Sequence, residues 1–200
     1  MPKTALQPRK TARQARSRAL VETILVAAAR VLERDSLHGF NTNRVAAIAG
    51  VSVGSLYQYF PNKTALLAAL IARAQDALAE AIENSVRKNL DRNLADAVAS
   101  LVEIAIQHQY GNPRLAAALD YEQQRLAADG VDLSQGARIV ASIFDLLVRH
   151  RGALSASPTI GVAKDCLAIA KSLVESDMGA RIPPDDLAKR TTRALLGYLR

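Results

Sequence analysis

Residues 51–67 read VSVGSLYQYFPNKTALL, and the parsing of this run decides the fold. The chain has five Tyr, three Phe and no Trp, and Tyr57, Tyr59 and Phe60 crowd together here. No charge occurs between Arg44 and Lys63, yet Ser52, Gly54, Ser55, Gln58, Pro61 and Asn62 interrupt the apolar character. A short helix over 53–59 accounts for the pattern. Ser52 caps it by accepting a bond from a free N–H of the first turn. Pro61 ends it, because the residue before proline avoids helical angles. Asn62 caps a longer helix from Lys63 to about Val86, with Leu66, Leu67, Leu70, Ala74, Leu78 and Ile82 along one face.

Upstream, Thr42 is expected to cap a helix running to Ala49, and Gly50 stops it. Ala46 is small where this helix would cross the next. Val45, Ile48, Val51 and Leu56 are placed to share apolar contacts. That arrangement is a helix-turn-helix, whose second helix enters the DNA major groove while the first crosses the backbone. Before it, Val21, Ile24, Leu25, Ala28 and Leu32 mark a first helix from about Ser17. It should end near Leu37–Gly39, with Gly39 left-handed and Phe40 anchoring the turn. Residues 1–16 are basic and aperiodic and read as a flexible arm.

Helix 53–59 is too short and too uncharged to face solvent alone. Gly54 costs it about 1 kcal/mol relative to alanine, and would let its backbone approach DNA closely. Ser52 and Ser55 can bond phosphates or base edges, and Val53 can touch thymine methyls. Tyr57 and Tyr59 offer phenols to phosphates. Lys63 and the start of its helix suggest an anion site. Leu56 and Phe60 read as core. An ordinary helical hairpin is the bland alternative. Charge placement favours DNA. Residues 1–63 hold ten Lys/Arg and three acids (10 − 3 = +7), and the rest of the chain balances at zero.

The remaining sequence predicts helices over roughly 93–110, 113–128, 134–150, 160–178 and 184–199. The breakers between them are Gly111-Asn112-Pro113, Asp129-Gly130, Gly152 with Ser155–Pro158, Gly179 and Pro183-Pro184. The chain therefore reads as all-α with about nine helices, in keeping with its abundant Ala and Leu and scarce aromatics. The lone Cys166 reads as a buried structural thiol in a reducing compartment. Run 45–62 is too polar to span a membrane, and no apolar segment follows the basic N-terminus, so a cytoplasmic location is expected. His38, His108 and His150 lie far apart with no metal-like spacing, and no nucleophile elbow occurs. No enzyme activity, metal or cofactor is expected.

The segment Thr42–Leu67, above all GVSVGSLYQYFPNKTALL at residues 50–67, resembles the N-terminal domain of the tetracycline-repressor (TetR) family of bacterial transcription regulators. The similarity spans about residues 18–67. It implies a helix-turn-helix DNA-binding domain over 17–66 and a helical ligand-binding and dimerisation domain over 67–200. It also implies phosphate contacts from Thr42, Tyr57, Tyr59 and Lys63, with Ser52, Val53, Gly54 and Ser55 facing the groove. Asn43 departs from the arginine many members carry there. It can pair with adenine but cannot fork onto guanine. Arg44, beside it, is left to compensate or to bind phosphate.

For the C-terminal part, the resemblance implies a homodimer formed through the last two helices. Their apolar positions include Val162, Leu167, Ile169, Ala170, Leu173 and Val174, then Leu187, Leu195, Leu196 and Leu199. Closure of the chain's own core is the competing role. A small-molecule effector would sit among the fourth to seventh helices, where His108, Tyr110, Tyr121, Glu122, Arg125, Phe144 and His150 interrupt aliphatic segments. The expected activity is that of a repressor released from a palindromic double-stranded operator by a ligand. A ligand-independent or architectural DNA-binding protein is the alternative.

Overall fold

The computed structural model describes residues 9–88, 91–131, 133, 135–176, 183 and 185–200, and the backbone alone for 9–15. Among the described residues there are nine α-helices and one 3-10 turn, with no strand. They are α1 (Arg9–Gly39), α2 (Thr42–Ala49), α3 (Val53–Tyr59), α4 (Lys63–Lys88), α5 (Leu94–Tyr110), α6 (Pro113–Ala128), α7 (Gly136–Arg149), α8 (Ile160–Glu175) and α9 (Leu187–Leu199). The chain divides into two compact units, Met1–Leu70 and Ile71–Arg200, and α4 runs through the boundary.

In the first unit, α1 packs on α2 and α2 on α3. Ile24, Ala28, Val31, Leu32, Val45 and Leu56 are fully buried. The helix bounds at α2, α3 and α4 start where the breakers place them, with one change of cap. Asn41, not Thr42, caps α2, its side chain accepting from Asn43 N–H at 2.8 Å. Asn41 is itself a strong capping residue, so the cap lies one position earlier than expected. Gly50 is left-handed at φ 68°, the conformation the turn requires. Ser52 caps α3, accepting from Ser55 N–H at 3.0 Å, and Asn62 accepts from Ala65 N–H at 2.8 Å at the start of α4.

Helix α1 departs from expectation at both ends. It begins at Arg9, not near Ser17, so residues 9–16 of the expected arm are helical. Their Arg, Lys, Ala and Gln are good helix formers, and no Gly or Pro intervenes. At the other end it is Ser36, not Gly39, that takes positive φ (56°), breaking the helix there. Gly39 serves another purpose: a Cβ there would lie 2.9 Å from Asp35 Cβ. Ile48, expected among the shared apolar contacts, is 39% exposed, because α2 turns only its Val45–Ala46 side inward.

In the second unit, α5 packs against α6, α8 and α9, while α8 also lies on α7 and α9. Val98 and Val102 of α5, Leu147 of α7, Cys166 of α8 and Leu195 and Leu199 of α9 share one buried cluster. Half-buried Val162, Leu167, Ile169, Ala170 and Leu196 pack against it. Most of the stripe expected to meet a second copy thus closes this chain's own core. Exposed apolar side chains remain on these helices at Ile160 and Tyr198. Arg138 of α7 ties back to α4, reaching Asp76 at 3.1 Å and Glu83 at 3.0 Å. No helix among the described residues is long and apolar enough to cross a membrane.

Candidate nucleic-acid interface

The tight turn at Gly50 lets α2 hold α3 against it. Val51 N–H donates to Ala46 O at 3.0 Å, and Leu56 inserts fully buried. With Leu56 and Phe60 buried, the opposite side of α3 is free. Ser52, Val53, Gly54, Tyr57 and Gln58 are exposed, and Ser55 and Tyr59 half-buried. Val53 (38%) and Tyr57 (44%) leave substantial apolar surface uncovered. Gln58, absent from the sequence-based set, follows Ser55 by three residues and so shares its side of the helix.

Two polar contacts fix this surface. Thr42 Oγ1 and Tyr57 Oη lie 3.1 Å apart, linking the start of α2 to α3. Ser52 and Ser55 hydroxyls lie 2.8 Å apart, so each arrives at a ligand already oriented. Gly54 has no intramolecular reason to be glycine, since a Cβ would meet only Ser52 Oγ at 3.9 Å. A helix-destabilising residue with open space above it fits close approach by an external backbone.

The cations are engaged differently from the sequence-based picture. Arg44 Nε is 3.2 Å from Asp35 Oδ2, and Arg34 Nε is 3.2 Å from Asp35 Oδ1. Asp35 therefore holds two guanidinium groups together, a role no local pattern announced. Lys63 Nζ donates to Leu37 O at 3.3 Å and stands 5.5 Å from the Phe40 ring centre. Within the chain it therefore engages the end of α1. An ammonium has three donors, so a phosphate can still be served. Asn43 and Arg44 are both exposed on α2.

The second unit contains a cavity of about 320 Å³ with walls from α4 to α8. Leu78, Ile82, Ile139, Leu167 and Val174 form apolar lining. Gln75, His108, Asp120, Gln123, Lys171 and Glu175 supply polar groups. Gln75 donates to Gln123 at 3.0 Å, and the buried Gln109 donates to Asp120 at 3.0 Å. Burial pushes His108 below its ordinary pKa, against an opposing pull from Asp120. Burial also raises Glu175, as does Asp120, while Lys171 lowers it.

Of the seven residues expected around a pocket, His108 lines this cavity. Tyr121 is 63% exposed, and Phe144 packs on the core beside α8 and α9. Glu122 is buried but already paired, with Arg125 at 2.8 Å. The cavity side of α6 is instead carried by Asp120, Gln123, Gln124 and Ala127. Tyr110 donates to Val174 O at 3.3 Å, and His150 ends α7. Helix phase decides which side chains face this space.

Residues 24–70 match the model of the bacterial regulatory proteins, tetR family. The matched span covers α2, the Gly50 turn, α3 and the start of α4.

Over that span the chain is similar to the DNA-binding domain of the TetR family.

The fold agrees over nearly its whole length. A proposed TetR-family transcriptional regulator from Mesorhizobium loti superposes with a TM-score of 0.74 at 16% identity, covering 92% of this chain and 96% of that one. Nucleoid occlusion factor SlmA of Actinobacillus pleuropneumoniae is 34% identical over 99 residues, 47% of this chain and 48% of that protein. HTH-type transcriptional activator FasR of Mycolicibacterium smegmatis is 30% identical over 131 residues, 64% and 59% of the two chains. The chain spans about a third to a half of the length of the SlmA relatives it matches.

Proposed function

We propose that this protein is a cytoplasmic homodimeric repressor of the TetR family that binds a palindromic operator and leaves it when a small molecule enters the second unit. The observation that carries the reading is the uncharged, exposed side of α3, held by α2 in a unit that bears the whole +7 excess. Ser52, Val53, Gly54 and Ser55 read the groove. Thr42, Tyr57, Tyr59 and Lys63 hold the backbone, and Asn43 and Arg44 approach from α2. With no cation on α3, most affinity comes from phosphate contacts, so binding weakens steeply with salt. One recognition helix reads few base pairs, and a dimer reads two half-sites a helical turn or its multiple apart. Exposed Ile160 and Tyr198 lie on the helices that would meet the second copy. Ligand release works through α4, which carries Lys63 at its start and Gln75, Leu78 and Ile82 along the cavity. Effector and operator then oppose each other reciprocally.

Selection of bound sequences from a random duplex pool tests this reading. Enrichment of a two-fold symmetric site is expected, with Tyr57→Ala weakening all sequences and Val53→Ala altering preference. A pool with no enriched sequence would sink it. That outcome would favour the second reading, a ligand-independent or architectural DNA-binding protein. Light scattering that shows a monomer at micromolar concentration would remove the dimer.

A further inference from the structure

The lining of the second-unit cavity has a sign. Asp120 on α6 and Glu175 on α8 bring two carboxylates to it, and Lys171 brings one ammonium (−2 + 1 = −1). The three are not equally screened. The Lys171 side chain is 64% exposed and 3.7 Å from Glu175, whereas Glu175 is 32% exposed. Solvent therefore weakens the cation more than the carboxylate. His108 adds no charge at neutral pH, since burial holds its imidazole in the neutral form. Gln109 bonds Asp120 but is a neutral donor and cancels nothing. One feature points the other way: Gly136, at the start of α7, also lines the cavity. A helix start is worth about half a positive charge, too little to reverse the balance. Gln75, Gln123 and Gln124 add neutral polar groups and the rest of the wall is aliphatic, so the space favours an apolar body attached to a positive head.

We propose that the cavity binds a small cationic amphiphile, a protonated amine on an aliphatic body, with Asp120 and Glu175 as its counter-charges. This rests on the reading of the second unit as the effector-binding part. Burial, and after it the Asp120 charge, push Glu175 toward its neutral form against the opposing pull of the exposed Lys171. An ammonium entering beside the two carboxylates offsets both effects with its charge, a carboxylate ligand would aggravate them, and an alcohol brings no charge to offset them.

Calorimetric titration of the full-length chain with octylammonium, 1-octanol and octanoate reads this out directly. Octylammonium should bind at a single site per chain, roughly tenfold or more tighter than octanol because its hydrogen bonds are charge-assisted. Octanoate should bind weakest. Glu175→Gln, at a part-exposed position that folding tolerates, should reduce the preference, and Asp120→Asn with Glu175→Gln should abolish it while octanol affinity stays. Ala105→Leu, which fills the cavity wall, should weaken octylammonium and octanol alike. The assignment is overturned if octylammonium gives no binding, if octanol or octanoate binds as tightly, if Glu175→Gln keeps the full preference, or if Ala105→Leu leaves binding unchanged. The operator complex separates this from the regulatory reading. Octylammonium that binds with charge preference yet leaves the DNA complex intact refutes ligand release and leaves the cavity's specificity standing.

Discussion

Asp35→Asn probes how the first unit holds its cations. Asp35 is 14% exposed and accepts Arg34 and Arg44 at 3.2 Å each, while the two arginines are 55% and 50% exposed. Exposed pairs of this kind each contribute less than about 1 kcal/mol, so folding should survive with a modest loss. The effect on DNA should be larger and of opposite sign. The unit's charge rises from +7 to +8 (10 − 2), and two guanidinium groups lose their internal partner. Each further phosphate neutralised steepens the log–log salt slope by about 0.9. One or both arginines reaching the backbone therefore adds about one to two units. From about 50 to 200 mM salt, each such phosphate enlarges the affinity loss roughly three- to fourfold. Fluorescence anisotropy of a labelled duplex across a salt series measures the slope, with random duplex as the comparison. Binding should tighten at low salt on both sequences. An unchanged or shallower slope with weaker operator binding would refute the reasoning. It would mean that Asp35 holds Arg44 in its productive pose.

Leu56→Ala removes the fully buried side chain of α3 and should cost about 2–5 kcal/mol; chemical denaturation followed by circular dichroism gives the number, and a loss under about 1 kcal/mol would contradict the described packing. His108 has its pKa lowered by burial, so the unfolded state takes up the proton first as pH falls below the ordinary 6.5. Stability should fall as pH drops from there toward the folded-state value, and His108→Gln should flatten that limb in melting curves. An equally steep limb in the variant would assign the effect elsewhere. The Cys166 thiol is buried and pushed up to about 11, mainly by burial and then by Asp165. It should resist iodoacetamide in the native protein at about pH 8 and react once unfolded, which mass spectrometry resolves.

The short-range features were legible without coordinates. Ser52, Asn62, Gly50 and Pro61 act on groups within a few residues of themselves, so the bounds of α2, α3 and α4 follow from the chain alone. The crowd of tyrosines in residues 51–67 likewise has a local cause: Leu56 and Phe60 turn inward, which leaves Tyr57 outward. Across longer separations the sequence is silent. Lys63 meets Leu37 O twenty-six residues away, and Arg44 meets Asp35 through a break at Ser36 that no glycine marked. Helical periodicity shows that a face is apolar but not which neighbour it faces. The stripes of α8 and α9 suited a dimer or a core equally until packing against α5 and α7 gave most of them to the core. The cavity depends in the same way on the rotation of five helices about their axes. Asp120, one residue from the more conspicuous Tyr121, lines the space because a step along a helix turns the side chain by about 100°.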